Sequence, residues 1–167
     1  MPRSDFDATL IGGTSLTETI GSLGDISTKS LAELSGEPMP IDHTTSLTRR
    51  ATTAWNVPLG VMTCEQLRLL VGQAMGLDWL ASIACLVAVR YPNATVTLYP
   101  GDLTLAILRS FPSIAPADPE GARRVLAADR SWLRKMKEVD EAMGGSSADE
   151  AASLFAKAEV LAGDNVR

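Results

Sequence analysis

From Trp79 to Val89 the chain reads WLASIACLVAV, and Ser82 is the one polar residue in it. A run this short cannot cross a bilayer, which takes about 20 residues. A helix with no polar face must instead be covered on most sides by other parts of the same protein. The segment from Leu77 to Arg90 is therefore expected at the centre of a helical core.

The flanking sequence supplies more helices. Thr63 with Gln66 three residues on forms a capping box: the hydroxyl takes an orphan backbone N–H and the amide reaches back. Leu67, Leu70, Val71 and Ala74 then form one apolar stripe, with Gly76 placed to end that helix in a left-handed conformation. The turn Tyr99-Pro100-Gly101-Asp102 leads into Leu103, Ala106, Ile107 and Arg109, with Asp102 expected to cap the helix it opens. Upstream, a helix is expected from about Ser46 to Trp55, ended by Asn56-Val57-Pro58. Shorter helical pieces fall at 15–23 and 28–34, limited by Gly21, Gly24 and Gly36, and Pro38 and Pro40 mark a linker.

Downstream, Pro112, Pro116 and Pro119 predict an extended connector. Asp118-Pro119 is an N-cap followed by proline at the first helical position, so a long helix should begin there. Its stripe is Val125, Ala128, Trp132, Met136, Val139 and Met143, stopped by Gly144-Gly145. Ser147 and Glu150 then predict a second capping box, with Ala151, Leu154, Phe155 and Ala158 as the apolar face of the last helix. The strand candidate, TVTL at 95–98, is too short to form a sheet by itself.

These patterns predict an all-α fold, a compact bundle of about five to seven helices with a flexible N-terminal arm. Residues 1–44 are expected as a flexible or partly helical arm, and 45–165 as one helical domain. That domain divides into a 46–111 core and a 118–163 helical hairpin. The 167 residues suffice for a hydrophobic core without staples. Few aromatic residues and many Ala, Leu and Met favour helix over sheet.

Composition narrows the chemistry. The two cysteines, Cys64 and Cys85, are far apart, and the single His43 lies in a Pro-rich linker. No metal, cofactor or catalytic set is expected from them. Cys64, near a helix start, is the sole candidate nucleophile, and no base accompanies it. Gly12-Gly13-Thr14 is not followed by the residues of a phosphate loop. Charge is uneven: residues 1–45 carry a net −5, 46–117 a net +2 and 118–167 a net −2. An acidic chain is a poor nucleic-acid binder and a plausible partner for a basic protein. Arg49-Arg50 reads as a solvated pair. The first residues lack a signal-peptide layout, which implies a cytoplasmic location.

The middle block also carries a family resemblance. Leu67, Arg68, Leu70, Gly72, Gln73, Gly76 and Leu77 form an LR-x-L-x-GQ-x-x-GL string, and Tyr99 to Leu103 a YPGDL string. With the lead-in SLTRRATTAWNVPLGVMTCEQLR, they resemble immunity proteins of bacterial contact-dependent growth inhibition systems over about Ser46 to Phe111. The chain departs from that pattern at Ser82-Ile83-Ala84, where a proline is common, and at Val96-Thr97, in place of a Gly-Asp pair. The resemblance implies a cytoplasmic, non-enzymatic inhibitor of the C-terminal toxin domain of a contact-delivered effector, often a nuclease. Such a partner would be a basic protein, with no direct contact to nucleic acid or membrane.

The residues expected at the partner interface are Glu138, Asp140 and Glu141, the densest acidic cluster, with Trp132, Asp102 and Tyr99. Arg68 and Gln73 lie off the apolar stripe, and Gln73 is expected to bond a neighbouring helix end. The alternative function is a helical interaction module or subunit without a toxin partner.

Overall fold

A computed structural model of the chain describes residues 10–38 and 44–164. His43, and the flexible start expected for residues 1–9, lie outside the described residues. Among the described residues the architecture is all-α, with ten helices and a single 3-10 turn at Gly24–Ile26. In chain order they are α1 (Leu16–Ile20), α2 (Leu31–Ser35), α3 (Ser46–Trp55), α4 (Cys64–Gly72), α5 (Leu77–Arg90), α6 (Asp102–Arg109), α7 (Phe111–Ala117), α8 (Pro119–Ala127), α9 (Ser131–Met143) and α10 (Ser147–Asp164). None is long and apolar enough to cross a membrane.

The apolar helix α5 is central. It packs against α1, α4, α6, α7 and α8, and Leu80, Ala81, Ile83, Ala84, Cys85, Val87 and Ala88 are buried along it. Helix α6 lies between α4 and α10 and is buried from Asp102 to Leu108. The last helix, α10, touches α6, α7, α8 and α9 through Ala148, Ala151, Phe155 and Ala158.

The described part of the expected arm is partly helical and docked. Leu16 and Leu31 are fully buried in the common core. The backbone of residues 11–14 is shared between two distant segments. Ile11 donates to the Thr95 carbonyl at 3.0 Å. Thr14 and Gly12 accept at 3.0 Å from the N–H groups of Cys64 and Glu65, which lie in the first turn of α4 and lack partners within it. Helices α1 and α2 are only five residues long, yet each opens on a complete capping box, Ser15 with Glu18 and Ser30 with Glu33. Those hydrogen bonds, first from each serine's backbone N–H and then from its hydroxyl, hold the Glu18 and Glu33 carboxyls below their usual range.

Two expected elements come out differently, which raises the helix count above the expected range. The proline-rich connector after Phe111 is helix α7. Pro112 sits in its first turn, where a missing N–H costs nothing, and Phe111, Ile114 and Ala115 are buried. The expected long helix from Asp118 is two helices. Asp118 does cap the start, accepting from Gly121 N–H at 2.9 Å. The break comes at Ala128, which is extended. Beyond it the Asp129 carboxylate takes the Ser131 N–H at 3.0 Å and hydroxyl at 2.8 Å, a local alternative to a continuous helix. Trp132 and Met136 stay buried, while Met143, the end of the expected stripe, is 81% exposed.

Helix α4 ends two residues earlier than its stripe suggests. The residue that ends it is Ala74, left-handed with φ of 54°; Gly76 is left-handed as well, with φ of 66°, two residues further on. The Ala74 N–H bonds Val71 and that of Met75 bonds Leu70, the paired bonds of a Schellman stop. Gly76 begins α5 instead.

Candidate functional site

Asp102 is the first residue of α6 and is 1% exposed. Its carboxylate does not cap its own helix. One oxygen accepts from Val96 N–H at 2.9 Å, and the other from Thr97 N–H at 2.7 Å and Leu98 N–H at 2.8 Å. TVTL therefore forms no strand: three of its four N–H groups turn inward to one side chain. Arg68 Nε on α4 lies 3.5 Å from the same carboxylate. Beside it, Gly101 has φ of 79°, and a Cβ there would come within 2.6 Å of the Trp132 ring. Both the left-handed backbone and the close approach of the indole require glycine.

This geometry corrects the expected interface. Asp102 and Trp132, 1% and 2% exposed, are interior and cannot present side chains to a partner. Tyr99 is half-buried and packed against the core. The acidic cluster is on the surface, but most of it has local work. Glu138 pairs with Arg134 at 2.9 Å, one turn earlier. Asp140 accepts the Ala148 N–H at 2.7 Å and so caps α10. Glu141 is exposed beside Met143. The second capping box does not form as expected: α10 begins at Ser147, and Glu150 reaches Arg109 through two hydrogen bonds of 2.8 Å. That pairing holds the Glu150 carboxyl below its usual range and raises the Arg109 guanidinium above its own.

The two strings behind the family resemblance thus meet in space, through Arg68 of the first and Asp102 of the second. Gln73 is exposed at the end of α4, and its side chain makes no hydrogen bond to a neighbouring helix among the described residues. Cys64 is fully buried, with the Thr19 hydroxyl 3.2 Å from its sulfur. Burial, and then Asp118, push the Cys85 thiol up to about 12, so it stays neutral and inert at ordinary pH. No group of three His, Cys, Asp or Glu side chains among the described residues could hold a metal.

Open grooves lie on the surface of the described residues. One, of about 340 Å³, runs between α3 and the start of α4 and is lined by Arg49, Arg50, Thr63, Glu65 and Gln66. The Arg49-Arg50 pair is exposed, as expected, and borders this concavity. Another, of about 470 Å³, is lined by two of the three tryptophans, Trp55 and Trp79, with Glu37, Asp78 and the strained Ala74. The Trp55 indole N–H donates to the Glu37 carbonyl at 3.1 Å, which ties the loop after α2 to the end of α3. Trp55 and Trp79 read in the sequence only as bounds of helical segments, and Glu37 carried no signal there. They are up to 42 positions apart, and no periodicity links them. The one available signal was that both tryptophans border a helix end. No known family, curated protein or solved structure matches the chain.

Proposed function

We propose that this protein is an immunity protein, which binds and neutralises the C-terminal toxin domain of a contact-dependent growth inhibition effector in the cytoplasm, without chemistry of its own. The observation that carries this reading is the Arg68–Asp102 junction. Arg68 and Asp102, one from each of the strings that carry the family resemblance, act as internal struts: they hold α4, the 95–101 loop and α6 in register. Their charges are spent inside the fold, which suits a scaffold that works by presenting its outer faces. The net charge of −5 suits a basic partner such as a nuclease, whose cleft must attract phosphate.

Co-expression with the toxin domain encoded beside this gene tests the reading. Rescue of growth together with co-purification is the expected result. Growth arrest despite comparable amounts of both proteins overturns it. Association should also slow as salt rises, because opposite charges steer the encounter, and a salt-independent on-rate would remove the electrostatic part of the argument.

A further inference from the structure

The groove between Trp55 and Trp79 has the composition of a cation receptor. Two indoles line it, two carboxylates border it, and no Lys, Arg or His is among the described residues that line it. A cation is drawn both to the negative face of an indole and to a carboxylate, and Trp is the strongest of the aromatic side chains in this respect. Neither Glu37 nor Asp78 makes an ion pair among the described residues. Elsewhere Glu120, Glu138, Glu150 and Glu159 pair with arginines, and Asp129 and Asp140 accept backbone N–H groups; of the exposed acids without an ion pair among the described residues, Glu37 and Asp78 are the two that share a groove with tryptophans. Asp78 is favoured by its place in the first turn of α5. Glu37 lies outside any helix, and its carboxylate has no such reason to be there.

The groove walls are also firmly placed. A Cβ on Gly76 would crowd Leu31 at 2.9 Å and touch the Trp55 ring at 3.4 Å, so the α4–α5 turn packs against that ring. Both tryptophans pack against the core while lining the open side. Rigid aromatic anchors in a pre-formed pocket are what a binding hot spot requires, because little side-chain freedom is lost on association.

We propose that this groove is the docking site for an arginine or lysine side chain projecting from a basic protein partner, held between the indoles and the Glu37 and Asp78 carboxylates. The proposal deepens the immunity reading by naming where a basic toxin domain is gripped, and it rests on that reading only for the partner's identity.

The test uses the whole protein and two probes. The first is an acetylated, amidated tetra-arginine peptide, followed through the three indole N–H signals in an NMR titration, with tetra-glutamate as control. Trp55 and Trp79 should shift saturably with tetra-arginine while Trp132, buried elsewhere, stays still. The double variant Glu37→Gln, Asp78→Asn should weaken that binding at least fivefold with an unchanged melting temperature. No saturable shift, or an equal response in the double variant, overturns the proposal. The second probe is the toxin domain. A tenfold or greater loss of affinity in the double variant, against no change in the exposed Asp149→Asn, supports the groove. Undiminished binding in the double variant overturns the groove and leaves the immunity function standing. If the wild-type protein does not bind the toxin domain at all, the function fails, and the peptide titration alone decides the groove.

Discussion

The Arg68–Asp102 junction and the Trp55–Trp79 groove are built from the same materials, carboxylates set beside tryptophan, and they behave in opposite ways. At the junction the carboxylate is enclosed and every oxygen is used: three backbone N–H groups and a guanidinium converge on Asp102, while Trp132 fills the space against Gly101. In the groove the carboxylates of Glu37 and Asp78 are exposed and unpaired among the described residues, and the indoles keep one side open. The difference lies in the neighbouring backbone. Where a loop presents N–H groups that need acceptors, an acid becomes part of the interior. Where no loop folds its N–H groups onto the carboxylate, the acid is left for something else to meet. A buried carboxylate of this kind costs several kcal/mol when its partners are stranded, and an exposed one costs almost nothing to neutralise.

The sharpest way to break this comparison is Asp102→Ala. It strands three inward N–H groups and leaves Arg68 without its counter-charge, so a loss of about 3–5 kcal/mol in denaturant unfolding is expected. The Glu37→Gln, Asp78→Asn pair should stay within about 0.5 kcal/mol of the parent. Similar costs for the two would erase the distinction. Gly101→Ala should come next, at about 2–4 kcal/mol. It combines a left-handed backbone unsuited to alanine with a clash into Trp132, and urea midpoints measure it. At the rim of the groove, Ala74→Gly should go the other way and stabilise by about 1 kcal/mol, since it relieves a left-handed alanine. Its effect on tetra-arginine binding should be negligible, and a matched loss of affinity would show that the strained rim matters to binding.

The smallest expected effect is at Arg109–Glu150. This pair is exposed, so its contribution is about 0.5 kcal/mol or less despite the two-point geometry. The Glu150 carboxyl is held below its usual 4.5. Its stabilising share is therefore present above that pH and is lost as pH falls through the lower folded value. Stability measured from pH 6 down to pH 2 should fall slightly less steeply for Glu150→Gln than for the parent. An identical slope would mean that the pair contributes nothing.

Much of the scaffold was legible because it is local. The capping box at Thr63, the proline start at Asp118-Pro119 and the all-apolar run in α5 each rest on residues within a turn or two of one another, and each appears as expected. The errors share a cause: a side chain found a partner outside its own segment. Asp102 looked like a helix cap, and it serves a loop instead. Trp132 was legible as part of an apolar stripe and is buried there, but no part of it is left over for a partner, because it fills a gap that only Gly101 leaves. Glu150 looked like half of a capping box, and Arg109, 41 positions earlier, claims it. The groove was illegible for the same reason, because Glu37, Trp55 and Trp79 come from three separate segments.

The hydrogen bonds of residues 11–14 have a kinetic consequence. Ile11 cannot find the Thr95 carbonyl until 84 further positions have been made and ordered, and closing so wide a loop carries an entropic penalty that local helices do not face. The earliest described part of the chain is thus among the last to settle. Until it does, the leading turn of α4 has two N–H groups with no protein acceptor. Hydrogen exchange at Cys64 and Glu65 should therefore report when folding is complete, well after the interior of α5 has become protected.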